Sequence, residues 1–247
     1  MGVRAAFDEF VDIAASARSP ADLGDLMDHF TRRMGYDFFA LTHHVDMADA
    51  APDAIRLHNY PLHWEEFFDR NRLGLSDPIH RASQRTGIGF AWHRVPELID
   101  LTPVDRHVLV LAEEHGIGDG FTIPAHIPGE AHGSCSFAMA TGKPAPTRSV
   151  ALAQLAGTYA FEAARSLWRV RPRMPGPVLT DRQRDCLILV ARGKTDKEVA
   201  RLVGISPETV IQHIKQARDR YGVQKRTSLL IRALFDGTIC FADILKR

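Results

Sequence analysis

Between Thr195 and Tyr221 the chain carries two helix starts with one glycine, Gly204, between them. Thr195-Asp196-Lys197-Glu198 sets a threonine at an N-cap with a glutamate three residues on, the reciprocal pairing that satisfies two orphan amides. The predicted helix places Val199, Leu202 and Val203 on one face and stops at Gly204. Ser206-Pro207 then starts a second helix, with Ser as the cap and Pro at the first helical position, where its missing N–H costs nothing. A short helix, a glycine turn and another helix make a helix-turn-helix.

Read at roughly 100° per residue, the second helix gathers Val210, Ile214, Ala217 and Tyr221 into one narrow apolar stripe that must pack inward. Opposite lie Glu208, Gln212, Lys215, Gln216 and Asp219, with Arg218 and Arg220 on the flanks. Gln and Lys can bond to base edges, and Arg and Lys to phosphates. Such a face also suits an ordinary solvated helix; two further predicted helices argue for a nucleic-acid module. Thr180-Asp181-Arg182-Gln183 opens one that buries Leu187 and Val190 and ends at Gly193. The other follows Arg226-Thr227 and carries Leu229, Leu230, Ala233 and Leu234 to a stop at Gly237.

The net charge of +1 hides an asymmetry. From Pro175 onward there are 14 Lys and Arg against 8 Asp and Glu; the remainder has 17 against 22. A basic end on an acidic body is the footprint of a nucleic-acid module joined to something else. The join is Arg171-Pro172-Arg173-Met174-Pro175-Gly176-Pro177, whose three prolines predict an extended, semi-rigid linker. The expected organisation is a domain over 1–170, a linker over 171–177 and a helical domain over 178–247. Cys135, Cys186 and Cys240 are too few and too scattered for a disulfide framework or a zinc site. No signal peptide and no run of 18 apolar residues appear, so a cytoplasmic protein with no membrane partner is expected.

In the first domain Phe7, Phe10, Val11 and Ile13-Ala14 mark a helix, and Leu23, Leu26, Met27 and Phe30 a second that closes at Gly35. Strands are expected over 37–45, 54–59, 120–127 and 134–141, with a short one at Gly89–Trp92, and a long helix from Thr147 to about Val170. Together they predict an α/β sandwich, an antiparallel sheet with helices on both faces. His43-His44 suggests a metal only until strand geometry is considered, because neighbours on a strand point to opposite faces. From Asn59 to Trp92 the chain holds two Trp, a Tyr and several Phe around Asp77. Those residues read either as an apolar pocket with a few convergent polar groups or as an aromatic core in which Asp77 caps a helix.

Leu179-Thr180, Leu187, Gly193-Lys194-Thr195, Glu198-Val199-Ala200, Gly204-Ile205-Ser206, Thr209-Val210 and His213 resemble, in their spacing, the four-helix DNA-binding domain of the LuxR family. Gln183 stands where the family usually has Glu and serves the capping box equally well; Ile211 stands where a basic residue is common. Tyr60, Trp64, Asp77-Pro78, Phe90-Ala91-Trp92, Gly116-Ile117 and Gly120 to Pro124 likewise resemble that family's autoinducer-binding domain, over most of residues 5 to 165. The resemblance implies a quorum-sensing transcription regulator with an N-acyl-homoserine lactone as ligand and no cofactor. Its partners would be double-stranded promoter DNA and a second copy of the chain, with RNA polymerase a further candidate. Carried over by motif, Trp64 donates to the lactone carbonyl, Asp77 accepts from the amide N–H and Tyr60 donates to the amide carbonyl. Trp92 packs against the lactone ring, and Phe68, where Tyr is frequent, lines the wall without a hydroxyl. The implied DNA-facing set is Thr209, Ile211, Gln212, Lys215 and Arg218.

No nucleophile elbow, phosphate loop or His-rich hydrolase motif appears, so the chain reads as a non-enzyme. A relative that senses another small molecule, or an orphan without a cognate synthase, is the alternative. Met139 falls where many relatives carry Thr or Ser. A thioether there, beside Phe68, predicts a dry wall that favours an unsubstituted, branched or aromatic acyl group over a 3-oxo one.

Overall fold

The structure, a computed structural model, describes residues 3–48, 50–146, 149–168 and 177–245. Residues 171–176 of the expected linker, and the outer ends of the long helix read from 147 to 170, lie outside the described residues. The chain divides into two compact units, one holding every strand and one helical.

In the first unit, helices α1 (Val3–Ser16) and α2 (Pro20–Met34) precede strands β1 (Phe38–His43) and β2 (Arg56–His58). Helices α3 (Leu62–Arg70) and α4 (Pro78–Ser83) lead to β3 (Phe90–Ala91), and α5 (Val95–Leu98) and α6 (Pro103–Glu114) follow. Strands β4 (Ile117–Ala125) and β5 (Gly133–Ala140) and the long α7 (Val150–Trp168) complete it. The five strands form one antiparallel sheet in the order β2-β1-β5-β4-β3. Helices α1, α2 and α7 cover one face, and α4 and α6 pack on the other. The expected sandwich is the one observed, with β1, β2 and β3 shorter than the sequence suggested, β4 starting three residues earlier and β5 shifted by one.

Side-chain alternation divides the sheet into two chemistries. Phe39, Leu41, Phe121, Ile123, Cys135, Phe137 and Met139 are buried in one core with Phe10, Leu23, Met27 and Phe30. Each large apolar side chain withdrawn from water there contributes about 1.5–3 kcal/mol. Helix α7 reaches the sheet closely because Gly157 has no Cβ; one would lie 2.9 Å from Ile123 Cδ1 and 3.1 Å from Cys135 Cβ. The intervening residues Ala40, Thr42, Arg56, His58 and Ser136 face the other way and form the floor of a cavity.

The second unit contains α8 (Asp181–Ala191), α9 (Asp196–Val203), α10 (Pro207–Tyr221), α11 (Arg226–Phe235) and a short α12 (Phe241–Ile244). The capping boxes at Thr180/Gln183 and Thr195/Glu198 form, and Ser206 accepts from Thr209 N–H. Gly204 and Gly222 end α9 and α10 at φ of 74° and 61°, backbone that a side chain would strain. Val199, Val210, Ile214, Ala217, Tyr221 and Leu229 share one core, whereas Leu202, expected inside, is 62% exposed. Helix α12, like α5 in the first unit, is an element the sequence reading lacked. Arg184 Nη2 holds its Asp243 at 2.8 Å, and Arg184 Nε donates to the Thr238 carbonyl at 3.0 Å. Among the described residues no helix is long and apolar enough to cross a membrane.

Candidate functional site

The cavity lies between the sheet and the covering helices, with about 860 Å³ of empty space counting its mouth. Asp77 enters because Pro78 starts α4: its Oδ1 accepts from Ile79 N–H at 2.6 Å and His80 N–H at 3.1 Å. The carboxylate is therefore a helix cap and a cavity wall at once. Both readings of the sequence hold, since Oδ2 has no protein hydrogen bond among the described residues. Tyr60 and Trp64 line the same space, and neither the phenol oxygen nor the indole Nε1 has a protein partner among the described residues. Burial, and next the Asp77 charge, push the Tyr60 hydroxyl far above its usual range, so it stays protonated and can donate.

Phe68 and Trp92 also line the cavity. The Trp92 indole Nε1 donates to Thr122 Oγ1 at 2.8 Å, and Thr122 pairs with Ser136 Oγ, also at 2.8 Å. Thr122 is fully buried and accepts from the indole, and its hydroxyl shares a hydrogen bond with Ser136 in which either oxygen can donate. Ser136 lines the cavity, so its hydroxyl joins this hydrogen-bonded chain to whatever occupies that space. Sequence reasoning missed this serine, although strand alternation sets it opposite the residues beside it.

That alternation corrects one expected ligand contact. Met139 is 6% exposed and belongs to the core under α1, α2 and α7, with Cys135 and Phe137, not to the cavity. The three share one face, as the sequence indicated, but it is the face turned away from the ligand space. The dry wall inferred from Met139, and the preference against a 3-oxo group drawn from it, lose their basis.

Also missed were Arg56, His58, Glu65 and His80. Arg56 is clamped by Asp69 at 2.8 Å and Glu65 at 3.1 Å. His58 is held below its ordinary pKa, first by burial, against the raising effect of Glu65. His80 Nδ1 bonds the Gly74 carbonyl at 2.9 Å, and its ring stacks on His44 with centroids 3.9 Å apart. Among the described residues no cluster of His, Cys, Asp and Glu could hold a metal ion.

On α10 Glu208, Ile211, Gln212, Lys215 and Asp219 form an exposed row, with Gln216 and Arg220 exposed beside it. Of the sequence-derived set, Ile211, Gln212 and Lys215 lie there together, with Ile211 53% exposed. Thr209 is half-buried, its hydroxyl 3.0 Å from Ser206 Oγ at the helix start. Arg218 is half-buried too and donates to the Gln224 carbonyl, so its guanidinium braces the loop after α10 instead of joining that row. Gln216 is tied to Gln183 Nε2 at 3.0 Å.

A helix-turn-helix with a free polar row, in the same chain as a unit with a cavity, defines a DNA-binding regulator controlled by a small molecule. Residues 19–164 match the autoinducer binding domain, and residues 177–233 the luxR family of bacterial regulatory proteins. The chain belongs to the LuxR family of autoinducer-binding transcription regulators. It is 27% identical over 236 residues to the transcriptional activator protein AhyR of Aeromonas hydrophila, covering 94% of this chain and 91% of that one. It is also 27% identical over 233 residues to the quorum sensing-dependent regulator RpaR of Rhodopseudomonas palustris, covering 94% and 93%. The fold matches Escherichia coli SdiA with a TM-score of 0.66 at 20% identity, over 96% of this chain and 98% of that one.

Proposed function

We propose that the chain senses an N-acyl-homoserine lactone in its first unit and regulates transcription by binding promoter DNA as a dimer. The observation that carries this reading is the set of unpaired groups converging in the cavity. The Trp64 indole and the Tyr60 phenol offer one donor each and Asp77 Oδ2 a lone acceptor, with the Ser136 hydroxyl, bonded to Thr122, beside them. An acyl lactone needs donors for the ring carbonyl and the amide carbonyl and an acceptor for the amide N–H, and these residues supply that inventory. Trp92 gives a flat apolar surface for the lactone ring, and Phe68 a wall for the acyl group.

On the DNA side, Lys215 and Gln212 read base edges in the major groove, Ile211 meets a thymine methyl, and Thr209 and Arg218 shape the helix ends. The segment 171–177 tethers the two functions. Leu155 and Tyr159, one turn apart on α7, stay exposed, an apolar patch suited to a second copy of the chain. The test is expression of the full chain with and without N-butanoyl to N-dodecanoyl homoserine lactones, followed by mass spectrometry of what co-purifies. One lactone per chain, intact, with a raised melting temperature is the expected result. No retained lactone and no thermal shift across the series would reject the reading.

A further inference from the structure

Strand register maps the cavity floor row by row. His58, Ala40, Ser136 and Thr122 lie side by side across β2, β1, β5 and β4. Two residues along, the neighbouring row is Arg56, Thr42, Ser134 and Pro124; on the opposite side it is Phe38, Ala138 and Gly120. Trp92 presses on that opposite side, since a Cβ on Gly120 would lie 2.7 Å from its Cε2. With the lactone against Trp92 and the amide at Ser136, the acyl group runs toward Thr42 and Arg56. Two residues of strand cover about 7 Å, so the chain reaches that row some five or six bonds beyond its amide carbonyl.

The groups at that end are hydrogen-bonding ones. Thr42 lines the cavity, and its hydroxyl has no protein partner among the described residues. His80 also lines it; its Nδ1 faces the Gly74 carbonyl and so carries the ring proton, which makes Nε2 an acceptor. That nitrogen too has no protein partner among the described residues. Stacking on His44, and an edge contact with Phe68 at 5.9 Å between centroids, fix the ring. A terminal methyl there leaves both groups unpaired, whereas a hydroxyl can donate to His80 Nε2 and accept from Thr42.

We propose that the lactone this chain recognises carries a hydroxyl at the far end of its acyl group, about 7 Å beyond the amide carbonyl, held by His80 and Thr42. This rests on the lactone reading above. The decisive pair is N-(6-hydroxyhexanoyl)- and N-heptanoyl-homoserine lactone, equal in length, with a hydroxyl replacing a methyl. Dissociation constants are measured by thermal-shift titration of the full chain. The hydroxylated lactone should bind roughly tenfold tighter, the size of one well-paired hydrogen bond that would otherwise leave a partner unmet. Thr42→Val and His80→Phe should each reduce that preference while heptanoyl affinity stays within about twofold. Should His80→Phe fail to fold, Thr42→Val carries the comparison. Equal or tighter binding of the heptanoyl lactone overturns the proposal and leaves the lactone reading standing, because a methyl gains from any dry end. A hydroxyl preference that survives both substitutions overturns the assignment to these residues. Binding of neither compound, nor of any lactone from butanoyl to dodecanoyl, removes both readings together.

Discussion

Asp77→Asn separates two duties that a single carboxylate performs. Oδ1 closes the first turn of α4 through Ile79 and His80, and Oδ2 is left to the ligand. Asparagine caps a helix as well as aspartate does, so the ligand-free fold should keep its stability to within a few tenths of a kcal/mol. The amide nitrogen then replaces Oδ2 and turns a donor toward the lactone's own N–H. That loss amounts to about 1–3 kcal/mol, a roughly tenfold to hundredfold weaker ligand. Asp77→Ala removes both duties, so it should also lower ligand-free stability by about 1 kcal/mol. Urea melts of the purified chain measure the first quantity, and thermal-shift titration with a bound lactone the second. An asparagine variant that binds like the parent would refute the argument, as would one that loses as much ligand-free stability as alanine.

On DNA, Lys215→Ala should cost about 1–3 kcal/mol on a specific operator and relax choice at one base pair; equal losses on specific and random DNA would move Lys215 to the backbone. Met139→Ser should destabilise the fold by about 2 kcal/mol or more by opening the core while the ranking of acyl chains stays unchanged, and an altered ranking would return Met139 to the ligand. His44 is held well below the ordinary histidine value of 6.5, first by burial and then by repulsion from His80, His126, His132 and His43. The unfolded chain takes up this proton near pH 6.5 and the folded chain does not, so stability is complete above that pH and falls below it. The share of the slope due to His44 is up to about 1.4 kcal/mol per pH unit; melts between pH 7.5 and 5.5 should show it, His44→Gln should reduce it to what the similarly depressed His58 and His132 leave, and a flat parent curve would sink the idea.

The elements that the sequence located well are those written in local chemistry. Thr180 with Gln183, Thr195 with Glu198 and Ser206-Pro207 start helices through contacts three residues apart, so neighbours alone decide them. Asp77 was legible for the same reason as a cap, and its second oxygen only through the resemblance. Strand alternation correctly put Cys135, Phe137 and Met139 together. Which of the two faces meets the ligand depends on the helices that cover each, and those contacts span the whole unit. Ser136 was lost and Met139 misplaced on that single ambiguity. Arg56 and His80 escaped because charged and aromatic-polar side chains look like surface until a fold surrounds them. The bond from Arg218 to the Gln224 carbonyl was not legible either, since it depends on how the loop after α10 folds back.

Within β5, Ser134, Ser136 and Ala138 turn to one side while Cys135, Phe137 and Met139 turn to the other. Mutation can therefore explore the odd and even columns of this strand almost independently. A change at Ser136, on the cavity side, would bear on which signal is heard, whereas one at Cys135, Phe137 or Met139 would bear first on the packing that keeps the protein folded. A lineage carrying this sheet can drift toward a new signalling molecule through single substitutions, each intermediate still folded, and so part company with its neighbours' chemical dialect by small steps.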